Sequence, residues 1–258
     1  CIDSLTLSDQ KENRLPLSKS ELQDIRSLLT RKGRISHHGF LAEGVRLLEE
    51  AQRHRFFPKV LYVSSSVLSE RGHQLATAFR RERVEVVEIP ARQMETISDT
   101  SAPQGIVGLF SLPSATLEEL YRPDMRKLLL CENISDPGNL GTLIRSALAF
   151  EMQAVITVGT CAEIYSPKVV RSSAGAVFGM PTGHYAWNDV KERMKSLGTM
   201  LVATDLAASD PVERLRSRTQ DNAVMLAVGS EATGLSSDIT AAADIRIRIR
   251  HSDSVDSL

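Results

Sequence analysis

Three polar residues stand at short spacing within one stretch: Glu132, Asn139 and Arg145 in Glu132-Asn133-Ile134-Ser135-Asp136-Pro137-Gly138-Asn139-Leu140-Gly141-Thr142-Leu143-Ile144-Arg145-Ser146-Ala147. The apolar run Leu128-Leu129-Leu130-Cys131 ahead of them reads as a buried strand. Asp136-Pro137-Gly138 is a turn signal, and Asn139 is placed to cap a helix running to Phe150. Leu140, Leu143, Ile144, Ala147 and Leu148 share one face of that helix, with Arg145 at its edge. Ligands of open α/β sheets bind at such strand ends. The same spacing also suits an ordinary strand-turn-helix with a solvated arginine.

Two further stretches have the composition of ligand loops. Gly229-Ser230-Glu231-Ala232-Thr233-Gly234-Leu235-Ser236 follows the apolar run 223–228, and its two glycines free backbone groups for a ligand or merely make a turn. Tyr165-Ser166-Pro167-Lys168-Val169-Val170-Arg171-Ser172-Ser173-Ala174-Gly175-Ala176 clusters small residues that allow close backbone approach, to a helix or to a ligand. Dinucleotide-binding, phosphate-loop, serine-hydrolase and metalloprotease signatures are missing from the sequence. The three cysteines, Cys1, Cys131 and Cys161, lie far apart and make no zinc spacing with histidine, so no metal is expected. Cys131 suits a small core residue, and a reducing cytoplasm is the expected setting.

In this order, Asn-x-x-Asp-Pro-x-Asn-x-Gly-Thr-x-x-Arg-Ser-Ala, the Ser-x-Gly-Ala segment and Gly-Ser-Glu-x-x-Gly-Leu resemble the three motifs of the SpoU (TrmH-like) family of RNA ribose 2′-O-methyltransferases. Ser230 stands where that family usually has Asn, and Val177-Phe178 where some members have Glu. The resemblance extends over about residues 25 to 258, since Phe40-x-x-Glu43-Gly44 and Pro103-Gln104-Gly105-Ile106-Val107 are similar to the family's N-terminal substrate-binding domain. It implies an α/β, parallel-sheet, trefoil-knot methyltransferase domain after a small ribosomal-protein-like α/β RNA-binding domain. It also implies S-adenosylmethionine as cofactor, RNA as substrate (ribosomal more than transfer RNA) and a homodimer.

The residue roles follow from that resemblance. Arg145, Asn139 and Glu132 form the catalytic set: Asn139 positions Arg145 or the ribose, and Glu132 holds the loop. Arg145 either loses its proton in an unusual site or orients an RNA phosphate that relays it, because guanidinium is a poor base. Cofactor contact is expected at Thr204, Gly229, Ser230, Glu231, Gly234, Leu235, Ile249, Ser257 and Leu258. RNA contact is expected at Arg31, Lys32 and Arg34 from their charge, and at Glu43, Arg171 and Ser172. Two other classes remain beside this one: a non-catalytic RNA-binding or ribosome-assembly factor of the same fold, and an unrelated nucleotide-binding α/β enzyme.

Composition frames these readings. The 258 residues are 42% hydrophobic with net charge −1, enough for a core and without a general basic coat. Residues 21 to 83 nonetheless carry 12 Lys and Arg against 7 Asp and Glu. No apolar run is long enough to cross a bilayer as a helix. The sequence starts at Cys1 without Met and stops at Asp256-Ser257-Leu258, before the Asn and final helix of the family, so a longer native chain is expected.

The elements that must position the motifs follow from patterning. Residues 1–17 read as a flexible tail. Ser18 and Glu21 open a helix to about Thr30, and 31–39 reads as a basic loop. Strands near 40–43, 60–63, 84–89 and 104–110 alternate with helices near 45–51 and 68–81, giving a domain over 18–112. Residues 113–126 read as a linker or a first covering helix. From 127 to 258 strands are expected at 127–131, 154–158, 199–203, 223–228 and 245–249, with helices around 139–150, 167–173, 187–197, 210–217 and 235–242. Ile245-Arg246-Ile247-Arg248-Ile249-Arg250 alternates as a strand with one apolar and one basic face.

Overall fold

A computed structural model describes residues 16–208, 210–211, 215, 219 and 222–249. Residues 1–15 of the tail expected over 1–17, Arg250, Ser257, Leu258 and most of the helix expected at 210–217 lie outside these described residues. The chain divides into two compact units at Leu112–Pro113.

The first unit begins with α1 (Lys19–Ser27), opened by a reciprocal capping box between Ser18 and Glu21. The basic stretch expected as a loop is a helix, α2 (Arg31–His37), with Thr30 accepting from Gly33 N–H as its cap. Gly33 is required there, because a Cβ would stand 2.1 Å from the Ser27 carbonyl oxygen. Arg34 is corrected as well: it is 3% exposed, and its Nη1 donates to the Leu28 carbonyl at 2.8 Å. It stabilises the end of α1 and is removed from the RNA-contact set.

After α2 come β1 (Gly39–Glu43), α3 (Val45–Arg53), β2 (Val60–Val63), α4 (Glu70–Arg81), β3 (Glu85–Glu88), α5 (Ala91–Ile97) and β4 (Ile106–Ser111). The sheet order is β1-β4-β2-β3, with β4 antiparallel to both neighbours and β2 parallel to β3. Leu41, Tyr62, Val87 and Val107 pack with Ile25, Leu28, Met94 and Ile97. Phe40, stacked on Phe110 at 5.3 Å, is buried on the alternate strand face, as period-2 patterning requires. The two stretches matched in sequence meet here: Gly44 N–H donates to the Ile106 carbonyl, and Gln104 Oε1 accepts from Val45 N–H.

The second unit is a seven-stranded sheet in which every pairing is parallel, ordered β7-β6-β5-β10-β8-β11-β9. Its elements are α6 (Leu117–Leu120), β5 (Lys127–Glu132), α7 (Pro137–Ala149), β6 (Ala154–Val158), α8 (Pro167–Ser172), a 3-10 turn (Ala176–Phe178), β7 (Thr182–His184), α9 (Trp187–Leu197), β8 (Met200–Thr204), β9 (Asp210–Pro211), β10 (Val224–Val228), α10 (Ser237–Ala242) and β11 (Ile245–Arg248). Asp210–Pro211 is thus a strand where the sequence suggested the start of a helix. Residues 113–126 are a covering segment and no linker: Leu117, Leu120, Tyr121 and Met125 join Leu128, Leu130, Ile156 and Met225 in one core. Tyr121 is fixed further by its hydroxyl bond to Thr199 and by Arg193 donating to its carbonyl.

Candidate active site

Parallel pairing sets the frame of the site. Cys131 is paired with Val228, so the next residues, Glu132 and Gly229, leave the sheet side by side. Ala203 is paired with Ala227 and Thr204 with Ile247, so Thr204 and the chain after β11 end at the same edge. That is the carboxyl edge, where open α/β sheets take ligands.

At the end of β5 the backbone bends sharply. Asn133 adopts a left-handed φ of 56°, and its Oδ1 accepts from Thr160 N–H at 2.7 Å. Glu132 is 7% exposed, and its Oε2 accepts from Ser236 N–H at 2.7 Å. The carboxylate therefore ties the first loop to the start of α10, consistent with a loop-holding part.

The helix begins earlier than its sequence suggests. Its N-cap is Asp136, whose Oδ1 accepts from Asn139 N–H at 2.9 Å, with Pro137 at the first helical position. Proline suits that position because its missing N–H would be unpaired anyway and its φ is preset. This frees the Asn139 side chain, and its Nδ2 donates to Glu231 Oε1 at 2.6 Å. Asn139 therefore reaches the third motif and not Arg145, while Glu231 commits an oxygen to Asn139. The Asn139 amide and the nearby Lys168 ammonium, 3.6 Å away, hold the Asp136 carboxyl below the usual carboxylate range.

The second motif packs against the first through absent side chains. A Cβ on Gly141 would lie 1.9 Å from Ser172 Oγ and 2.8 Å from Ser173 N, so only glycine lets α7 approach α8. The Ser172 hydroxyl lies within hydrogen-bond reach of the Pro137, Lys168 and Val169 carbonyls. It contributes to helix packing at a half-buried position, and Arg171 stays on the exposed face of α8. Glu43 is likewise engaged, accepting from Ser98 Oγ, Asp99 N–H and Thr100 Oγ1. Arg31 and Lys32 are exposed on α2. Burial pushes the Tyr165 hydroxyl up to about 12 and raises both the Cys131 and Cys161 thiols, so none of the three is a ready base.

The third motif is a tight loop. Gly229 has no room for a Cβ, which would stand 2.2 Å from the Gly234 carbonyl carbon. Gly234 N–H donates to the Ser230 carbonyl at 2.8 Å, and Ser230 Oγ bonds Thr233 Oγ1 at 2.7 Å. Gly234 has a φ of +65°, with no heavy atom within 4 Å of its would-be Cβ. Thr204 Oγ1 donates to the Ala227 carbonyl, and Ile249 is 44% exposed just beyond β11. Backbone polar groups, an open glycine and exposed apolar side chains at adjoining strand ends suit an adenosyl group.

Arg145 lies exposed on α7, and among the described residues its side chain has no hydrogen-bond or ion-pair partner. Helical side chains lean toward the N-terminus over the residues three and four before them. For Arg145 these are Thr142 and Gly141, both small. The Asp136–Lys168 and Gly141–Ser172 contacts were missed in the sequence, although Asp-Pro signals an N-cap followed by Pro.

Comparison with known proteins decides the family. A model described as the SpoU rRNA Methylase family matches residues 126–258. The chain belongs to the SpoU rRNA methylase family. Residues 19–108 match the MRM3-like substrate binding domain. A 23S rRNA (guanosine(2553)-2'-O)-methyltransferase of Bacillus subtilis is 26% identical over 89% of this chain and 86% of its own length. A mitochondrial rRNA methyltransferase 3A of Danio rerio is 28% identical over 81% of this chain, which spans only 48% of that protein. Among solved structures, the SpoU methyltransferase AviRb of Streptomyces viridochromogenes, in complex with AdoMet, superposes with TM-score 0.79 at 25% identity, covering 93% of this chain and 92% of that one. An AdoMet-bound rRNA methyltransferase of Sinorhizobium meliloti gives TM-score 0.78 at 29% identity over 93% and 90%. The α/β parallel-sheet fold and the preceding substrate-binding domain are those of the SpoU family. Among the described residues, none of the helices is long and apolar enough to cross a membrane, and no group of His, Cys, Asp and Glu is arranged to hold a metal.

Proposed function

We propose that this chain transfers the methyl group of S-adenosylmethionine to a ribose 2′-hydroxyl of RNA, with ribosomal RNA as the substrate. The observation that carries the reading is the convergence of Glu132, Asn139 and the loop from Gly229 to Ser236 at one sheet edge, with Arg145 exposed further along the same helix α7. The AdoMet-bound relatives and the rRNA 2′-O-methyltransferase of Bacillus subtilis support the same cofactor and substrate.

The cofactor, when bound, supplies an electrophilic methyl group. Thr204, Gly229, Ser230, Gly234, Leu235 and Ile249 hold it through backbone and apolar contacts. Glu231 and Glu132 act on that loop from behind, by fixing Asn139 and Ser236. Arg145 receives the RNA. A guanidinium forks onto a phosphate, so Arg145 orients the phosphate beside the reacting ribose, and that phosphate takes the 2′-proton. Positioning of the hydroxyl for in-line attack then supplies most of the rate enhancement.

Arg31, Lys32 and Arg171 are the proposed RNA contacts retained from the sequence, with Ser257 and Leu258 proposed to complete the cofactor pocket. A homodimer, the trefoil knot and a cytoplasmic setting belong to the same proposal; the free thiols of Cys131 and Cys161 suit a reducing compartment. The experiment is to map 2′-O-methyl groups in ribosomal RNA from cells lacking the gene. A single modification should vanish and return on complementation; an unaltered map in all RNA would contradict the reading.

A further inference from the structure

The first unit has a second basic surface, remote in sequence from α2. Because β1 and β2 are each antiparallel to β4, and β2 is parallel to β3, the strands β1, β2 and β3 all start at one pole of the sheet. The helices α3 and α4 both end at that pole, since each returns the chain to the start of the next strand. Their exits bring Arg53, Arg55, Lys59, Arg80, Arg81 and Arg83 together, all exposed. Register ties the two exits: Val60 pairs with Glu85, so Lys59 and Val84 stand side by side just before the strands. Phe57, 38% exposed, stands at right angles to Phe79, the neighbour of Arg80, with ring centroids 6.4 Å apart. Glu50, paired with Arg53 at 3.0 Å, and the exposed Glu82 and Glu85 are the acids nearby, leaving a cationic excess.

Arg55 and Arg83 both have left-handed φ, 55° and 64°, immediately after the caps of α3 and α4. Glycine is the usual residue at that position, and a side chain with a Cβ is strained there. A cation beyond a helix C-terminus gains from the dipole, but glycine would avoid the strain altogether. Glu151 and Ala174 take the same conformation just after the caps of α7 and α8, so what sets Arg55 and Arg83 apart is the charge they bring to one pole. Among the described residues, the side chains of Arg55, Lys59, Arg80, Arg81 and Arg83 form no hydrogen bond or ion pair.

We infer that this pole, Arg55, Phe57, Lys59, Arg80, Arg81 and Arg83, is a docking surface for a single-stranded segment of the RNA substrate. The cations follow the phosphates and the exposed Phe57 ring offers a face for one unpaired base, the combination that single-strand binders use. The inference rests on the RNA reading given above and adds a face to it.

The test uses the full chain with a labelled unstructured oligoribonucleotide and a duplex of equal length, titrated at several salt concentrations. The variant Arg55→Gly with Arg83→Gly removes two cations and the strain together. It should keep a Tm equal to or above wild type and bind the single strand at least ~10-fold more weakly, with the salt slope reduced by ~1.4 for two lost phosphate contacts. Phe57→Ala should weaken binding of the single strand and leave the duplex unaffected. Unchanged affinity and slope in the glycine variant, alongside losses in Arg31→Gln with Lys32→Gln, would overturn this face while leaving the RNA reading intact. A wild-type chain that binds neither RNA would overturn both.

Discussion

The side-chain amide of Asn139 donates to a carboxylate oxygen of Glu231 at 2.6 Å, joining residues 92 positions apart. With Glu132 accepting from Ser236 N–H, it makes two clasps, from the end of β5 and the first turn of α7, onto the loop after β10. The geometry of the Gly229–Leu235 loop, proposed to hold the cofactor, is thereby set from the stretch proposed to be catalytic. A double-mutant cycle on Asn139→Ala and Glu231→Ala should be non-additive, with a coupling of about 1 kcal/mol in S-adenosylmethionine binding free energy. Calorimetric titration of the four proteins checks it; strictly additive losses would mean that the pair does not act on the cofactor loop.

Glu132→Ala leaves the Ser236 N–H without its partner at a half-buried site. The expected cost is about 1–3 kcal/mol of stability. Cofactor affinity should fall with it, since the exit of the loop is released. Urea unfolding followed by cofactor titration measures both.

Gly141→Ala and Gly229→Ala should both destabilise by overpacking, typically about 1–3 kcal/mol each. The second is the more severe, because its Cβ would meet Gly234 backbone at 2.2 Å, whereas the first meets the Ser172 side chain at 1.9 Å, which a rotamer change can partly relieve. The order of their Tm losses, Gly229→Ala greater than Gly141→Ala, is the outcome to look for.

Much of the site was legible because its chemistry is local in the chain. The strand, the turn and the helix around Arg145 follow from apolar runs and Asp-Pro-Gly alone. What escaped was tertiary. Arg34 looks like surface charge, yet its guanidinium reaches back to the Leu28 carbonyl, and no periodicity announces such a partner. The helix α2 was hidden by Gly33, a residue that disfavours helices but is demanded by Ser27. Asn139 was read as a cap because Asn favours caps; Asp136 holds that position, since the Pro137 ring is accepted at the first helical turn. The bonds that Glu43 and Ser172 make to segments distant in sequence were likewise invisible to local patterning.

The Asp136 carboxyl, held below its usual range by the Asn139 amide and Lys168, gives a pH dependence of defined sign. A folded pKa below the unfolded value means that its stabilisation is present above the unfolded pKa, about 4, and is lost as pH falls through the folded pKa. Tm measured downward from pH 5 should therefore fall less steeply in Asp136→Asn than in wild type. Asn is an equally good N-cap, so the two proteins should match most closely in the acid limit.

The most direct measurement is transfer of labelled methyl from S-adenosylmethionine to ribosomal RNA lacking the modification, comparing wild type with Arg145→Ala. After alkaline hydrolysis the label from the wild type should appear in dinucleotides, because a methylated 2′-oxygen cannot attack the adjacent phosphate and that linkage stays intact. Arg145→Ala should lose about 10²-fold or more in rate, as expected for a group that positions the reacting atoms. Its Tm and cofactor affinity should remain near wild type, since Arg145 is exposed on α7. Label recovered in mononucleotides, or an Arg145→Ala protein that turns over at the wild-type rate, would contradict the account.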